Sequence, residues 1–187
     1  MDTPKKFSIF GFAGSLRKGS YNRAILRAAL DVLPGNAALE IFDLEGIPPF
    51  NQDLEGSPPE RVRAFKAGIR AADALLIACP EYNYSMSGVL KNAIDWASRP
   101  YRDSAFQGKP AAMMGASIGM IATARAQYHL RQSMVFLDMH PVNQPEVMVP
   151  FADKKIDGNG RLTDDPTREK IRELIVSLMA WTVRLKS

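Results

Sequence analysis

The chain has 187 residues, of which 46% are hydrophobic and 24% charged, a composition typical of a globular protein rather than a disordered or fibrous one. This length suits one domain with a sizeable core and is short for two, so we expect residues 1–187 to form a single domain. No apolar run approaches the roughly 18 residues that a membrane helix needs. A lone cysteine, Cys79, excludes an internal disulfide and argues against a cysteine-based metal site.

The formal net charge of +4 raises the question of a nucleic-acid partner. However, the Lys and Arg residues are spread along the chain, without a block of like charges or a basic helix face. We therefore expect no nucleic-acid and no membrane partner, and a modestly cationic surface of which some residues attract small anions. Residues Met1 to Lys6 lack the apolar stretch and cleavage site of a signal peptide, so the expected location is cytoplasmic.

The first half of the chain alternates between strand-like and helix-like patterns. In chain order, the predicted elements are a strand over 6–13, a helix from Tyr21 to Leu33, a strand over 38–43, a proline-rich loop from Ile47 to Pro59, and a helix marked by Val62, Phe65 and Ile69. Gly14 ends the first strand, and Pro34-Gly35 stops the first helix.

The second half repeats this alternation. Residues 74–79 are almost entirely apolar, which is typical of a strand buried on both faces of a parallel sheet. The elements that follow are a helix over 85–98, a strand over 110–117, a helix carrying Tyr128, Arg131 and Val135, a weaker strand over 142–149, and a closing helix with apolar residues from Ile171 to Leu185. Thr167 or Asp165 is the expected N-cap of the closing helix.

Five β-then-α units in succession predict an α/β fold with a doubly wound, five-stranded parallel sheet between two layers of helices. Right-handed crossovers then leave few possible topologies. In such sheets, ligands bind beyond the carboxyl ends of the strands, where the strand order reverses. The places to look for a site are therefore the loops after residues 13, 79 and 117.

The first of these loops, residues 14–22, has the sequence GSLRKGSYN and suits a phosphate monoester. Ser15 and Ser20 supply hydroxyl groups, Asn22 supplies an amide, and Arg17 supplies a positively charged guanidinium. The helix that follows begins with free backbone N–H groups at the positive end of its dipole. Gly14 and Gly19 would let the backbone curl around the anion. The loop matches neither G-x-G-x-x-G nor a P-loop. The alternative is a solvated turn in which Ser20 or Asn22 merely caps the helix.

The second loop, residues 80–84, is Pro-Glu-Tyr-Asn-Tyr and directly follows the buried third strand. A proline, two aromatic residues and an amide make a rigid platform with hydrogen-bonding edges, which suits a flavin ring. The backbone of Glu81 to Asn83 is expected to meet the pyrimidine edge of that ring. The alternative is that Tyr82 and Tyr84 simply cover the core beside the strand.

The third loop, residues 115–125, is GASIGMIATAR. Its small residues Gly115, Ala116, Ser117, Gly119 and Ala122 leave room for a ring system close to the backbone, although ordinary packing between strand and helix would also explain them. All three loops follow strands at the one rim of the sheet where ligands bind. This common position favours a shared ligand over three coincidences.

Three segments together resemble the NADPH-dependent FMN reductase family, which includes bacterial quinone and chromate reductases. They are GSLRKGSYN, PEYNYS followed by GVLKNAIDW (residues 88–96), and ARAQYHLRQ (residues 124–132), and the resemblance runs from about Phe7 to Pro150. It implies a flavodoxin-like fold, an FMN cofactor, NADPH or NADH as co-substrate, and a homodimer or homotetramer with the flavin near a subunit boundary. The candidate cofactor-binding residues are Ser15, Arg17, Ser20, Tyr21, Asn22, Pro80, Glu81, Tyr82, Asn83, Tyr84 and Ser117.

Two departures from the family pattern concern the space over the ring. Such proteins often have Pro where this chain has Ser87, and a Gly-Gly pair where it has Ala122-Thr123. We expect the larger side chains to narrow the space for acceptor and nicotinamide, without affecting flavin binding.

The resemblance implies an oxidoreductase that passes two electrons from NAD(P)H to quinones or similar small acceptors, including chromate, azo compounds and free flavin. The flavin carries this chemistry, so no catalytic side chain is nominated. Because both substrates would use the same ring face in turn, ping-pong kinetics are expected. Two other functions remain open: a one-electron carrier of the flavodoxin type, disfavoured by the basic charge, and a non-catalytic phosphate- or nucleotide-binding regulator.

Several other residues have simpler interpretations. Cys79 ends a buried strand and is expected to be a core residue rather than a redox thiol. His129 and His140 fit no metal pattern, and residues 153–160 are predicted to form a turn rather than a calcium loop. The remaining polar residues, which belong to the solvated surface, a subunit contact or a site for the NADPH 2′-phosphate, are Arg125, Tyr128, Arg131 and Glu146.

Overall fold

The computed structural model describes residues 6–187. Met1 to Lys5, on which the expectation of no signal peptide rests in part, lie outside the described residues. The strands are β1 (Phe7–Ala13), β2 (Ala37–Phe42), β3 (Ala74–Ala78), β4 (Glu81–Tyr82), β5 (Ser85–Met86), β6 (Pro110–Ala116), β7 (His140–Pro141) and β8 (Val147–Val149). The helices are α1 (Tyr21–Asp31), α2 (Glu60–Ala71), α3 (Gly88–Ala97), α4 (Ala124–Phe136), α5 (Ala152–Lys155) and α6 (Asp165–Lys186), with a short 3₁₀ turn at Gln52–Leu54. None of these helices in the part of the chain described is long and apolar enough to cross a membrane.

The main sheet is parallel and has the strand order β2-β1-β3-β6-β7, with β8 also pairing with β6. This order is that of flavodoxin-like folds, in which the switch point lies between the first and third strands. The predicted fold class is thereby confirmed. Residues of β3 are fully buried, as the apolar run over 74–79 predicted.

The predicted last strand, 142–149, is interrupted. The structure has two short strands in its place, β7 and β8, and residues 142–146 form a loop between them. Pro145, in that loop, has no N–H to donate to a ladder, and the position at the sheet edge tolerates the interruption. The prediction of one continuous strand was therefore wrong at this edge.

Helices cover both faces of the sheet, which confirms the three predicted layers. One core lies beneath α1 and α6 and includes Ile25, Ile171 and Leu178. The other lies beneath α2, α3 and α4 and is built around aromatic rings. There, Phe12 meets Phe65 edge-on, with ring centroids 5.0 Å apart. These two cores hold the strand ends, and hence the loops after them, in fixed positions.

Side-chain caps determine where three helices begin. Ser20 caps α1 by accepting from Arg23 N, and Ser87 caps α3 by accepting from Leu90 N. The cap of α6 is Asp164, which accepts from Thr167 N at 3.0 Å, and not Thr167 or Asp165 as predicted. A carboxylate at this position also faces the positive end of the helix dipole.

The segment after α5 forms the predicted turn. Asp157 Oδ1 accepts hydrogen bonds from the backbone N–H groups of Asn159 and Arg161, both at 2.9 Å. Gly160 has a φ of +75°, a conformation that favours glycine. The carboxylate therefore closes the turn by local hydrogen bonds.

Candidate functional site

Two adjoining cavities open at the rim where the strands have their carboxyl ends. The inner cavity, of about 240 Å³, is lined by Ser15, Arg17, Ser20, Tyr21, Asn22, Pro80, Glu81, Tyr82, Ala116, Ser117 and Ile118. The outer cavity, of about 560 Å³, is lined by Glu81, Asn83, Tyr84, Ser117, Gly119, Met120, Ile121, Ala122 and Arg125. Because Glu81 and Ser117 line both, the cavities form one cleft. Every residue predicted to contact the cofactor lines one of them.

The first loop offers hydrogen-bond donors at the start of α1. Ser15 and Ser20 are both buried in this cleft. The backbone N–H groups of Tyr21 and Asn22 have no acceptor among residues 6–187. Unpaired N–H groups in the first turn of a helix, beside buried hydroxyls, are an arrangement that favours the binding of anions such as phosphate monoesters.

Ser20 is placed for both of the roles that the sequence offered as alternatives, helix capping and phosphate binding. Its hydroxyl accepts from Arg23 N at 3.3 Å and so caps the helix, while the residue also lines the inner cavity. Arg17 stands beside it with its guanidinium carbon 5.0 Å from the centroid of the Tyr21 ring. Arg17 also donates to Gly19 O, which fixes the loop and leaves further N–H groups of the guanidinium available.

Asn22 has a different contact from the one predicted. Its Nδ2 donates to Ala116 O at 2.9 Å, and Ala116 N donates to its Oδ1 at 3.0 Å. The side chain therefore joins α1 to the end of β6, and the amide N–H that is bonded to Ala116 O is not free to bind a phosphate. Its backbone N–H, in the first turn of α1, has no acceptor among residues 6–187.

Gly14 and Gly115 are required by packing rather than by a ligand. A Cβ on Gly14 would lie 2.7 Å from Leu90 Cβ, and one on Gly115 would lie 2.0 Å from Thr123 Oγ1. The expected roles of these glycines, in curling around the anion and making room for the ring, are corrected accordingly. Gly19 has open space around it and no left-handed φ.

The second loop is a tight hairpin. Strands β4 and β5 pair with Glu81 opposite Met86 and Tyr82 opposite Ser85. The two residues between them, Asn83 and Tyr84, have φ values of +50° and +67°. Two consecutive positive φ values are typical of the two-residue turns that match the twist of a hairpin. The tip of the hairpin thus projects both tyrosines, 82 and 84, into solvent beside the cleft.

An ion pair holds this hairpin against α4. Arg125 Nε donates to Glu81 Oε1 at 2.5 Å, and Ala126 N donates to Glu81 Oε2 at 3.1 Å. The Glu81 side chain is only 6% exposed, so its charge is compensated by both partners. On its outer side, the Arg125 guanidinium carbon lies 3.7 Å from the centroid of the Tyr84 ring. The sequence does not predict these contacts, because they link residues about 40 positions apart and leave no pattern along the chain.

The third loop supplies the far wall of the cleft. Ser117 Oγ accepts from Gly119 N at 3.2 Å, which shapes the turn after β6. The next residues, Ile118, Met120 and Ile121, are large, apolar and exposed, with Met120 76% exposed. Apolar side chains that remain in solvent around a cavity are suited to covering a bound planar ligand.

The two departures from the family pattern differ in their consequences. Ser87 is buried and donates to Gly14 O at 2.6 Å, and Thr123 is fully buried behind Gly115. Neither side chain faces the cleft, so the expected narrowing by these two residues is wrong. Ala122 does line the outer cavity, and it adopts a φ of +53° at a position where the family often has glycine.

Cys79 and His129, which the sequence did not assign to the cofactor site, do not line the cleft. Cys79 is completely buried, and burial, with a smaller contribution from the Glu81 charge, raises the pKa of its thiol to about 12. His129 is exposed and pairs with Ser85 Oγ at 2.9 Å. Across residues 6–187, no group of three His, Cys, Asp or Glu side chains is placed to hold a metal ion. Because Cys79 is completely buried and the pKa of its thiol is raised, it has the character of a core residue.

The polar residues of the last part of the chain form separate contacts. Tyr128 OH donates to Glu146 at 3.3 Å, and Arg131 Nη2 donates to Val142 O at 2.8 Å. Of Arg125, Tyr128, Arg131 and Glu146, only Arg125 lines the cleft.

Comparison with known proteins identifies the family. The sequence profile of the NADPH-dependent FMN reductases matches residues 7–154. The chain belongs to this family. Among its relatives, an NAD(P)H-dependent FMN reductase of Pseudomonas aeruginosa is 55% identical over 95% of this chain and 96% of that protein. A 2-hydroxy-1,4-benzoquinone reductase of a Burkholderia species is 44% identical over 90% of this chain and 92% of that protein.

A solved structure agrees with this assignment. The flavoenzyme NAD(P)H:(acceptor) oxidoreductase of Paracoccus denitrificans superposes with a TM-score of 0.86 at 32% identity, covering 95% of this chain and 97% of that one. The predicted family is thus confirmed, as are the oxidoreductase class and the use of FMN with NADPH or NADH.

Proposed function

We propose that this member of the NADPH-dependent FMN reductase family transfers two electrons from NAD(P)H to quinones or similar small oxidised acceptors, with the flavin held in the cleft described above. The observation that carries the proposal is that three loops, each following a strand, place their eleven predicted contact residues around one cleft. The overall reaction is NAD(P)H plus quinone plus one proton giving NAD(P)⁺ and hydroquinone. The Burkholderia relative, named for a quinone substrate, supports this acceptor class.

The residues at the start of α1 fit the phosphate of FMN. The hydroxyls of Ser15 and Ser20 and the N–H groups of Tyr21 and Asn22 would donate to its oxygens, and Arg17 would compensate its charge. The first turn of α1 contains no acidic residue that would repel the phosphate. Ser20 would also keep the helix capped, since a hydroxyl accepts from Arg23 N and still has a proton to donate.

The hairpin and the third loop fit the isoalloxazine ring. The ring would lie between Pro80 to Asn83 on one side and Ser117 on the other, near the two residues that line both cavities. When bound there, FMN supplies the ability to accept a hydride from NAD(P)H and pass two electrons on. The backbone of the β4–β5 hairpin would hold the ring edge, and the Glu81–Arg125 pair would keep that hairpin in place.

The outer cavity is the place proposed for NAD(P)H and the acceptor. Tyr82, Tyr84 and Met120 stand exposed around it and would exclude water once a planar molecule is bound. One chamber over one ring face cannot hold both substrates stacked at once. NAD(P)⁺ must then leave before the acceptor enters, which gives ping-pong kinetics.

An apolar stripe on α4 supports a homo-oligomer. Val135 is 83% and Phe136 78% exposed, and both lie on the same helix face as Tyr128, seven and eight residues earlier. Such side chains are costly to leave in water, so a second copy would cover them, as a homodimer or homotetramer. Phe136→Glu should then dissociate the assembly in size-exclusion chromatography with light scattering.

We also propose the cytoplasm as the site of action, because NAD(P)H is available there.

Anaerobic titration of the purified protein tests the proposal. The protein, reconstituted with FMN, should lose its yellow absorbance on adding one equivalent of NADPH or NADH and regain it on adding one equivalent of a quinone. Initial rates at several fixed quinone concentrations should give parallel double-reciprocal plots. A protein that takes up no FMN, or whose bound FMN is not bleached by either nucleotide, would contradict the proposal.

A further inference from the structure

Positive charges that are spread along the sequence gather at one end of the folded chain. Arg63, Lys66 and Arg70 are three and four residues apart on α2 and share one face of that helix, which corrects the expectation that no helix carries a basic face. The buried Lys66 donates to Asp103 Oδ2 at 2.8 Å, and Arg70 donates to Asp103 Oδ1 at 2.6 Å. Lys66 also donates to Arg99 O. The loop after α3 therefore lies against the basic face of α2.

Further contacts continue this surface to the end of α6. Lys109 Nζ donates to Arg70 O at 2.9 Å and to Ala72 O at 2.6 Å. Next to Ala72, Asp73 accepts from Lys186 Nζ at 2.7 Å. Lys109 and Asp73 directly precede β6 and β3, so this surface lies at the amino ends of the parallel strands, on the rim opposite the cleft.

This surface, here named the basal patch, accounts for the net charge of the protein. Its exposed or half-buried cations are Arg63, Arg70, Arg99, Arg102, Lys109 and Lys186. The ion pair of Lys66 with Asp103 is neutral, which leaves these six cations against the two carboxylates of Glu60 and Asp73. The excess of four positive charges equals the formal net charge of the whole chain, +4. The rest of the chain therefore carries no net charge, and the positive potential belongs to this end.

The loop after α3 adds an exposed aromatic ring to the basal patch. Tyr101 is 65% exposed, and the Arg99 guanidinium carbon lies 3.9 Å from the centroid of its ring. Tyrosine is enriched at bilayer surfaces because its ring is apolar and its hydroxyl is polar. No residue of the basal patch lines either cavity of the cleft, so a partner bound here leaves the cleft open.

We propose that the basal patch docks the protein on anionic phospholipid bilayers, with the cleft facing away from the membrane. Each Lys or Arg close to such a surface strengthens binding about fivefold, so a few of them suffice for reversible association. The patch extends from α2 on one face of the sheet to α6 on the other, which suits a broad flat surface better than a narrow nucleic-acid strand. The proposal goes beyond the proposed function. It also departs from the expectation of no membrane partner, which rested on the spread of Lys and Arg along the sequence.

Sedimentation with vesicles measures the docking. The FMN-loaded protein is mixed with vesicles of phosphatidylcholine, either alone or with about 30% phosphatidylglycerol, at about 20 and about 200 mM salt. Arg63→Glu combined with Arg102→Glu reverses two exposed charges of the basal patch. Arg161→Glu combined with Lys170→Glu is the matched control, because it changes the net charge equally at two other exposed positions. Lys170 lies about 24 Å along α6 from Lys186, at about 1.5 Å per residue.

The wild type should sediment with the phosphatidylglycerol vesicles at low salt, much less at high salt, and not with phosphatidylcholine alone. The Arg63→Glu, Arg102→Glu protein should bind at least about 25-fold more weakly, and the control should bind like the wild type. FMN content and melting temperature show whether each variant is folded, and the corresponding Gln pair replaces a Glu pair that is not. Acrylamide should quench the flavin fluorescence equally with and without vesicles, because the cleft faces away from the bilayer.

Three results would overturn the inference. The first is that the wild type stays in solution with phosphatidylglycerol vesicles at low salt. The second is an equal loss of binding in both double variants, which would show that net charge alone is responsible. The third is tighter binding to a single-stranded oligonucleotide than to vesicles at equal phosphate concentration, which would make the basal patch a nucleic-acid surface. None of these results depends on turnover, so the proposed function is tested separately.

Discussion

Asn22 and Ala116 are joined by two hydrogen bonds, one in each direction, between the side-chain amide of the first residue and the backbone of the second. Asn22 lies in the first turn of α1, and Ala116 is the last residue of β6. Two of the loops that form the cleft are therefore fixed to each other through a single side chain. A substitution of Asn22 removes this direct link between the start of α1 and the end of β6.

Asn22→Ala should lower the free energy of unfolding by about 2 to 3 kcal/mol, because it leaves the buried N–H and C=O groups of Ala116 without partners. Urea denaturation of the FMN-free protein measures this. Asn143→Ala, at an exposed position, is the control and should cost less than about 0.5 kcal/mol. An Asn22→Ala protein of wild-type stability that has lost FMN affinity would return the side chain to the phosphate site.

Ser20→Asp separates capping from phosphate binding. Aspartate caps helices about as well as serine, so the stability of the FMN-free protein should stay within about 0.5 kcal/mol of wild type. Its carboxylate would repel the FMN phosphate, however, and FMN affinity should fall at least about 100-fold. Fluorescence titration of FMN measures the affinity, with Ser20→Thr as the variant that keeps both functions. Unchanged FMN binding in Ser20→Asp would place the phosphate elsewhere.

Cys79 should be unreactive in the folded protein. With a thiol pKa of about 12, only about one molecule in ten thousand carries the reactive thiolate at pH 8, and the sulfur is fully buried. Alkylation by iodoacetamide, followed by mass spectrometry, should be detectable only after denaturation. Cys79→Ala should retain flavin and turnover. Rapid modification of the native protein, with parallel loss of activity, would instead indicate a redox thiol.

Asp73 should contribute a pH-dependent part of the stability. Its hydrogen bond with Lys186, supported by hydrogen bonds from Ser8, lowers the pKa of this carboxyl from 3.8 to about 2. A lowered pKa in the folded state means that the contribution is complete above about pH 4 and is lost as the pH falls through 2.

Asp73→Asn should accordingly be less stable than wild type by about 1 kcal/mol at pH 6, a small value because Lys186 is exposed to solvent. This difference should shrink between pH 4 and pH 2 in a series of urea denaturations. A difference that is the same at both ends of that range would show that the carboxylate charge is not what Asp73 contributes.

The sequence was sufficient to predict the fold class and the rim at which the cleft lies, because both follow from local patterns. The apolar run before Cys79 identifies a central parallel strand, and Ser20 marks the start of α1. The cleft residues followed from these positions, since carboxyl ends of parallel strands meet at one edge.

The contacts that the sequence did not predict are those between residues far apart along the chain. The pairing of Glu81 with Arg125 and the brace between Asn22 and Ala116 join residues 44 and 94 positions apart. Neither produces a periodicity or a motif. The role of Gly14 was misassigned for the same reason, because only the folded chain brings Leu90 within 2.7 Å of the position that a Cβ would occupy.

A crystal structure of the protein with FMN tests the central claim most directly. The account predicts density for the phosphate within hydrogen-bonding distance of Ser20 and the N–H groups of Tyr21 and Asn22, and for the ring between Pro80 to Asn83 and Ser117. FMN bound at any other surface of the fold, or a cleft that stays empty of flavin at saturating FMN, would contradict it.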